Sequence, residues 1–421
     1  MVDYIYRHAD TVVAKWLGEF PALMLTGPRG CGKTTTASTH CSSVIRLDDD
    51  DQANAFEAGP DAYLSGAARP ALIDEWQAVP ASLKAVKRLV DTDHTPGQFL
   101  ITGSVRSRYL ASSWPGTGRV VPVRMWGLTH AELTGRAELS FDWMWKPDAM
   151  RAGPVPDAPT ALDYVEMALA GGFPDAVRRA PESRATWYDA YVEYLIGHDV
   201  ADLKDVRTPL GMQRLLKAVA VNTAGLPSMT SLAEAAGIDQ RTAVSYLDVL
   251  EDLRVVQRVQ PWFHNQMSRM VKTPKYYVTD SGLAASLRQA DTAAVTASGD
   301  LMGRLIDTFI VSQLRPILDL AQPRATIHHL RDNSGKHEVD LVLERPGHGI
   351  VGIEIKAASA VSARDAKHLT WLRDETPDEF ACGIVLHTGR SVHQIDHKLW
   401  AMPVAALWRP EIVTTTPTLE G

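Results

Sequence analysis

Cysteine is scarce in this chain: Cys31, Cys41 and Cys382 are scattered and odd in number, so neither a disulfide framework nor a cysteine-based zinc site is supported. Also missing is any run of about 18 uninterrupted apolar residues, which argues against a transmembrane helix. The opening Met1-Val2-Asp3-Tyr4-Ile5-Tyr6-Arg7 has no signal-peptide layout, and the chain is expected to be cytoplasmic with no membrane partner. Neither sign of charge dominates. A net charge of −7 and a pI near 6.1 argue against a protein that coats nucleic acid through bulk positive charge, while local patches stay open. There is no internal repeat and no low-complexity tract. What is present, 421 residues of which 45% are hydrophobic and 22% charged, suits an ordinary globular protein of about two to four domains.

The most specific signal is Gly27-Pro28-Arg29-Gly30-Cys31-Gly32-Lys33-Thr34, which has the pattern G-x-x-x-x-G-K-[ST] and directly follows the apolar stretch Ala22-Leu23-Met24-Leu25-Thr26. This reads as strand, loop and helix start. Glycines let the loop close around a triphosphate without Cβ clashes, and the backbone N–H groups from Arg29 to Lys33 would point inward at the positive end of the new helix. Lys33 would reach the β- and γ-phosphates, and the Thr34 hydroxyl would hold Mg²⁺, with Thr35 completing the helix start. ATP and Mg²⁺ are the implied cofactors.

A second half of the site follows. Arg69-Pro70-Ala71-Leu72-Ile73-Asp74-Glu75 is an apolar run ending in two carboxylates, as expected of a buried parallel strand delivering acids to the carboxyl edge of a sheet. Asp74 is the expected Mg²⁺ partner. Glu75 is the expected base, orienting and deprotonating the water that attacks the γ-phosphate. A third run, Gln98 to Ser104, ends in polar groups at the corresponding place, where Thr102 or Ser104 would sense the γ-phosphate. Arg119 could supply a guanidinium to the transferring phosphoryl group, in competition with Arg124, and could do so across a subunit boundary in a homo-oligomer.

Beyond about Leu139, the segment from Lys146-Pro147 to Pro159 is rich in Pro, Gly and Ala and marks a boundary. Helical patterns follow over Ala161–Ala170 and Ser183–Val200, separated by Gly171-Gly172-Phe173-Pro174. From Ser228 to Trp262 the spacing changes to helix, tight turn, helix: Thr230 to Ala236, then Gly237-Ile238-Asp239, then Gln240 to Leu253 with Val244, Leu247, Leu250 and Leu253 on one face. Strands over Arg254–Val259 and Lys275–Thr279 would complete a winged helix. Arg241 and Ser245 would be its exposed contacts, but Asp248, Glu251 and Asp252 suit phosphates badly. The module could equally contact a protein.

The last region holds a second constellation. His337-Glu338-Val339-Asp340-Leu341-Val342-Leu343 and Gly352-Ile353-Glu354-Ile355-Lys356 alternate polar and apolar residues, so two adjacent strands could bring Asp340, Glu354 and Lys356 together. Two carboxylates can bind Mg²⁺, and the lysine can orient water or offset charge at a phosphodiester. Asp307, on a helix expected over Leu301 to Leu314, could add a third acid. A solvent-facing ion-pair ladder on an edge strand is the plainer alternative. His328, His329, His337, His348 and His368 show no metal-ligand spacing and read as loop and surface residues.

These residues together, with Leu72-Ile73-Asp74-Glu75-Trp76-Gln77, Gly118-Arg119, Gly171-Gly172-Phe173-Pro174 and Tyr276-Tyr277-Val278-Thr279-Asp280-Ser281-Gly282-Leu283, resemble a large prokaryotic family of AAA-type ATPases with a C-terminal domain of uncharacterised function. The resemblance covers nearly the whole chain. It implies an α/β architecture: a P-loop NTPase parallel-sheet domain over 1–145, a helical linker over 155–225, a winged helix-turn-helix over 226–290, and a restriction-endonuclease-like α/β domain of the PD-(D/E)xK kind over 295–410. Two departures stand out. His198-Asp199 occupies a place where such proteins commonly show Arg-Asp, and Asp307 stands where a glutamate is common. The expectation is an Mg²⁺-dependent ATPase coupled to a nuclease-like half acting on DNA. The alternatives are a regulatory switch whose terminal domain binds DNA or a protein silently, and a signalling ATPase with no nucleic-acid partner.

Overall fold

The computed structural model describes residues 4–103, 118–199, 208–263, 272–332 and 335–414, with the backbone alone at 198 and 199. Ser104, the alternative phosphate sensor, lies outside the described residues, as do the side chains of His198 and Asp199. The chain divides into two units, Met1–Leu128 with Asp252–Arg254, and Thr129–Glu251 with Val255–Gly421.

In the first unit five strands form a parallel sheet: β1 (Ala22–Thr26), β2 (Ser43–Arg46), β3 (Ala71–Asp74), β4 (Phe99–Thr102) and β5 (Val120–Arg124), in the order β2-β3-β4-β1-β5. Every residue of β3 and β4 is buried, as continuous apolar runs covered on both faces require. The helices Asp50–Ala58, Pro60–Gly66 and Ala81–Thr92 supply Phe56, Leu64, Val86 and Val90 to the core around Ile45, Ile73 and Ile101. Strand β1 sits between β4 and β5, where the strand order reverses, so its carboxyl end opens a crevice of the kind in which parallel sheets hold ligands.

The second unit is built on a seven-stranded mixed sheet ordered β6-β13-β14-β12-β11-β10-β9, from β6 (Gly153–Pro154), β9 (Thr326–Arg331), β10 (Glu338–Arg345), β11 (Gly349–Lys356), β12 (Phe380–His387), β13 (Ser391–Asp396) and β14 (Leu399–Pro403). Strands β10 and β11 are antiparallel with Leu341 opposite Ile353, and β11 and β12 are parallel, joined across the helix Lys367–Glu375. Two apolar clusters share these strands. Leu341, Leu343, Val351 and Ile353 pack with Ile306, Ile310 and Leu314 of the helix Gly299–Leu320. Val339, Val342 and Ile350 pack with Leu369 and Leu372. The long helix runs past the expected end at Leu314 because Pro316 is tolerated within it while Ile317, Leu318 and Leu320 continue its buried face.

Residues 129–145 belong to the second unit, so the first ends earlier than the expected 145. Phe141, Trp143 and Met144 join the second unit's core, and Arg345 Nη1 donates to Asp142 at 2.7 Å. The compact segment is the helix Met229–Ala236, a turn with Gly237 at φ 66°, the helix Gln240–Asp252, and the antiparallel pair β7 (Val256–Val259) and β8 (Lys275–Val278). One expectation fails here. Ala243, Tyr246, Leu247, Val249 and Leu250 form the buried face, whereas Val244 is 41% exposed. The true stripe includes a tyrosine and an alanine that a purely aliphatic pattern passes over.

The two glycine-rich signatures meet in one joint. Buried Asp280 accepts from Gly172 N at 2.6 Å, Leu283 N at 2.8 Å and Tyr188 Oη at 2.9 Å. A Cβ on Gly171, at φ 68°, would lie 2.3 Å from Tyr188 Oη, so the close approach itself requires glycine.

Candidate nucleotide site and a second acidic site

The phosphate-loop pattern falls between β1 and the helix Lys33–Ser38, as its residues require. Gly30 and Gly32 adopt φ of 76° and 96°, which a side chain would resist, and a Cβ on Gly27 would stand 2.3 Å from the Met125 carbonyl oxygen. Lys33 is buried, and its Nζ donates to the carbonyls of Gly27 at 3.1 Å and Pro28 at 2.9 Å. The Thr34 hydroxyl donates to Asp74 Oδ1 at 2.9 Å, and the Thr102 hydroxyl donates to the same oxygen. Lys33, Thr34, Asp74 and Thr102, predicted from separate motifs, are thus gathered at the carboxyl ends of β1, β3 and β4. Hard oxygen donors at the loop mouth fit a magnesium ion, and the glycine-lined turn fits a phosphate chain. Arg29 and Thr35 are exposed, and Cys31 is buried inside the loop.

Glu75 takes a left-handed conformation at φ 51° immediately after β3, and the Gln77 amide donates to its carboxylate. A non-glycine residue in that region costs free energy and commonly marks a functional position. Arg119 and Arg124 lie at opposite ends of β5. Arg124 pairs in register with Thr26 at the nucleotide edge, whereas Arg119 precedes Val120, which aligns with Ala22 at the far edge. Arg119 donates to Asp91 at 2.6 Å on the helix Ala81–Thr92. The structure therefore does not bring Arg119 to its own chain's loop.

Sequence reasoning missed the support behind the loop. Arg7 is buried, its Nη1 donating to the Cys31 carbonyl at 2.9 Å and its Nη2 to the Trp126 carbonyl at 2.8 Å. Asp10, at the start of the helix His8–Leu17, contacts His40 Nε2 at 2.6 Å and accepts from Tyr4 Oη at 2.7 Å. An arginine beside an aspartate at a helix start carries no signature of long-range contact, so only the tertiary arrangement reveals this brace.

In the second unit the expected acids do approach one another. Ile355 N donates to Asp340 Oδ2 at 2.9 Å, tying β10 to β11, and Lys356 Nζ lies 3.0 Å from Glu354 Oε2. Asp307 comes in from the helix Gly299–Leu320. The sequence reading did not foresee Lys275 among them. Its Nζ, buried on β8, lies 2.8 Å from Asp307 Oδ2 and 3.6 Å from Asp340 Oδ1, and Tyr277 Oη donates to Asp307 Oδ1 at 3.0 Å. Lys275 and Tyr277 alternate along the strand, which was the available signal.

Burial pushes the Asp307 carboxyl up to about 6 despite the lysine beside it. Burial and the Asp340 charge push Glu354 up to about 8. The ion partners of Lys275 hold its ammonium well above the ordinary lysine value against the opposing effect of burial.

Two expectations are corrected here. Among the described residues, no group of three or more His, Cys, Asp or Glu is placed to hold a metal ion, so Asp307 does not add the expected third metal-holding acid to Asp340 and Glu354. The physical reason is that Lys275 stands between two of them and Lys356 takes the third. The histidines are not uniformly superficial either. His329 is buried in β9 with its Nε2 3.1 Å from the Thr273 carbonyl, and burial pushes its pKa down to about 4. A cavity of about 350 Å³ adjoins Lys275, Asp307 and Asp340 and reaches Arg304, Arg331 and Glu338.

The first unit is of the AAA class. Residues 19–134 match the AAA domain family, while residues 161–294 and 302–407 match two families described as domains of unknown function, DUF8612 and DUF4143. The chain is 30% identical over 362 residues to the "Uncharacterized protein Rv2008c" of Mycobacterium tuberculosis and equally to the "Uncharacterized protein Mb2031c" of Mycobacterium bovis, covering 85% of this chain and 75% of each relative. The chain belongs to the family of these mycobacterial proteins, with an AAA-type ATPase domain at its amino-terminal side. Among solved structures, AMPPCP-bound DnaA from Aquifex aeolicus aligns at a TM-score of 0.25 and 14% identity, over 60% of this chain and 89% of that one. No helix among the described residues is long and apolar enough to cross a membrane.

Proposed function

We propose that the chain is an Mg²⁺-dependent ATPase whose nucleotide state governs a winged-helix and restriction-endonuclease-like half that engages DNA. The observation that carries the nucleotide part is the convergence of Lys33, Thr34, Asp74 and Thr102 at one sheet edge. The loop N–H groups and Lys33 bind the phosphates, Lys33 exchanging its two loop carbonyls for phosphate oxygens. Thr34 and Asp74 would hold magnesium, which supplies charge neutralisation to the β- and γ-oxygens. Thr102 positions the Asp74 carboxylate. Glu75, one residue beyond it, orients the attacking water and accepts its proton. Arg124 stands at the correct edge to act within one chain. Arg119 could reach a phosphate only in a neighbouring copy, which would tie turnover to assembly.

The DNA part rests on the helix-turn-helix with its β7–β8 hairpin. Exposed Arg241 is available there, and Asp248 and Glu251, which would repel phosphates, are engaged by Arg258 from β7. A protein partner is the alternative occupant of that surface.

Replacing Glu75 by Gln should leave ATP bound with turnover reduced at least about 100-fold, in line with the loss of a positioned base. Turnover at the wild-type rate would refute the assignment. Salt-sensitive binding of duplex DNA, read by fluorescence anisotropy, tests the partner, since phosphate contacts release counterions.

A further inference from the structure

A restriction-endonuclease-like reading brings with it an expected divalent metal, and the residues present do not fit one. Four protein cations already meet the five acids of this neighbourhood. Arg304 Nε pairs with Asp300 at 3.0 Å, Arg331 Nε with Glu338 at 3.7 Å, and Lys356 with Glu354 at 3.0 Å. Lys275 Nζ serves both Asp307 and Asp340, and also lies 3.5 Å from the Asp340 backbone carbonyl.

The remaining oxygens are largely committed as well. Tyr277 donates to the second oxygen of Asp307, and Ile355 N to the second oxygen of Asp340. Of Asp307, Asp340 and Glu354, the described residues leave one buried oxygen without a hydrogen-bond partner, Glu354 Oε1. One oxygen cannot replace the several that a hard dication needs.

We infer that Lys275 is the resident cation of the acidic site in the second unit, and that this site takes no divalent metal while Lys275 is in place. The inference deepens the nuclease-like reading and rests on it for the expectation of a metal. Its consequence is that the nuclease-like half binds without metal-dependent cutting. Lys275 comes from β8, the hairpin strand beside the helix-turn-helix, so a segment outside the sheet supplies the charge.

Thermal unfolding of the nucleotide-free full chain, with and without Mn²⁺, tests this. Wild type and Asp340→Asn should respond to Mn²⁺ alike, since any effect at the phosphate loop is common to both. Lys275→Met leaves Asp307 and Asp340 without their cation, and Mn²⁺ should then raise its melting temperature by about 3 °C or more, an effect lost in the double variant with Asp340→Asn. A Mn²⁺-dependent rise in wild type that exceeds that of Asp340→Asn by a similar margin would overturn the inference. So would Mn²⁺-dependent nicking of plasmid by wild type that Asp340→Asn abolishes. If Lys275→Met fails to fold, the comparison of wild type with Asp340→Asn decides alone. Failure of the ATPase reading would appear in turnover and leave these comparisons unmoved.

Discussion

Replacing Glu354 by Gln removes one ionisable group from β11 with little change of shape, and its consequence depends on pH in a direction that the burial dictates. Glu354 is 3% exposed, and its carboxyl is pushed up to about 8 from an ordinary value near 4.5. Between those values the folded chain keeps a proton that the unfolded chain has released. The unfolded state thus binds fewer protons, and stability falls as pH rises through this window. The contribution is fully present below the unfolded value and lost above the folded one. From pH 5.5 to the folded value is about 2.5 pH units, which at about 1.4 kcal/mol per unit amounts to about 3 kcal/mol. Equilibrium urea denaturation of wild type and Glu354→Gln at pH 5.5, 7 and 8.5 measures it, because ionisations elsewhere in the chain largely cancel in the difference. The variant should gain about 3 kcal/mol relative to wild type across that range. A difference that stays constant within about 1 kcal/mol would mean that Glu354 ionises as freely as on the surface.

Two further substitutions test packing that the motifs do not describe. Arg7→Met removes two hydrogen bonds from a buried guanidinium to the Cys31 and Trp126 carbonyls, at about 1.5–3 kcal/mol each. It should destabilise the first unit by about 3–6 kcal/mol in urea denaturation and weaken ATP binding in calorimetry, whereas unchanged affinity would separate the brace from the loop. Asp280→Ala strands the Gly172 and Leu283 N–H groups and leaves the Tyr188 hydroxyl with the Ala170 carbonyl at 3.2 Å as its acceptor, and should cost about 3–5 kcal/mol in the same assay. A cost under about 1 kcal/mol would show that water replaces the carboxylate in the joint.

The arrangement of the candidate nucleotide site was legible because the phosphate-loop pattern is a local one. Its glycines, lysine and threonine fall within eight consecutive positions, and their backbone needs are those of a loop between one strand and one helix. Asp74 and Thr102 were legible for a related reason: a buried parallel strand is a continuous apolar run, and its end announces an edge of the sheet. Position along a strand was harder. The residue types around Arg119 and Arg124 are alike, and only the register of β5 against β1 separates the far edge from the nucleotide edge.

The second acidic site divides in the same way. Alternation along β10 and β11 was enough to place Asp340 beside Glu354 and Lys356, because side chains two apart share a face. Nothing local shows that Lys275, far away in the chain, fills the space between Asp340 and Asp307, or that Arg7 reaches the carbonyls behind the phosphate loop. Motif chemistry depends on neighbours in sequence and so can be read along the chain. The partner of a buried charge depends on which distant segments pack together, and the folded structure alone specifies that.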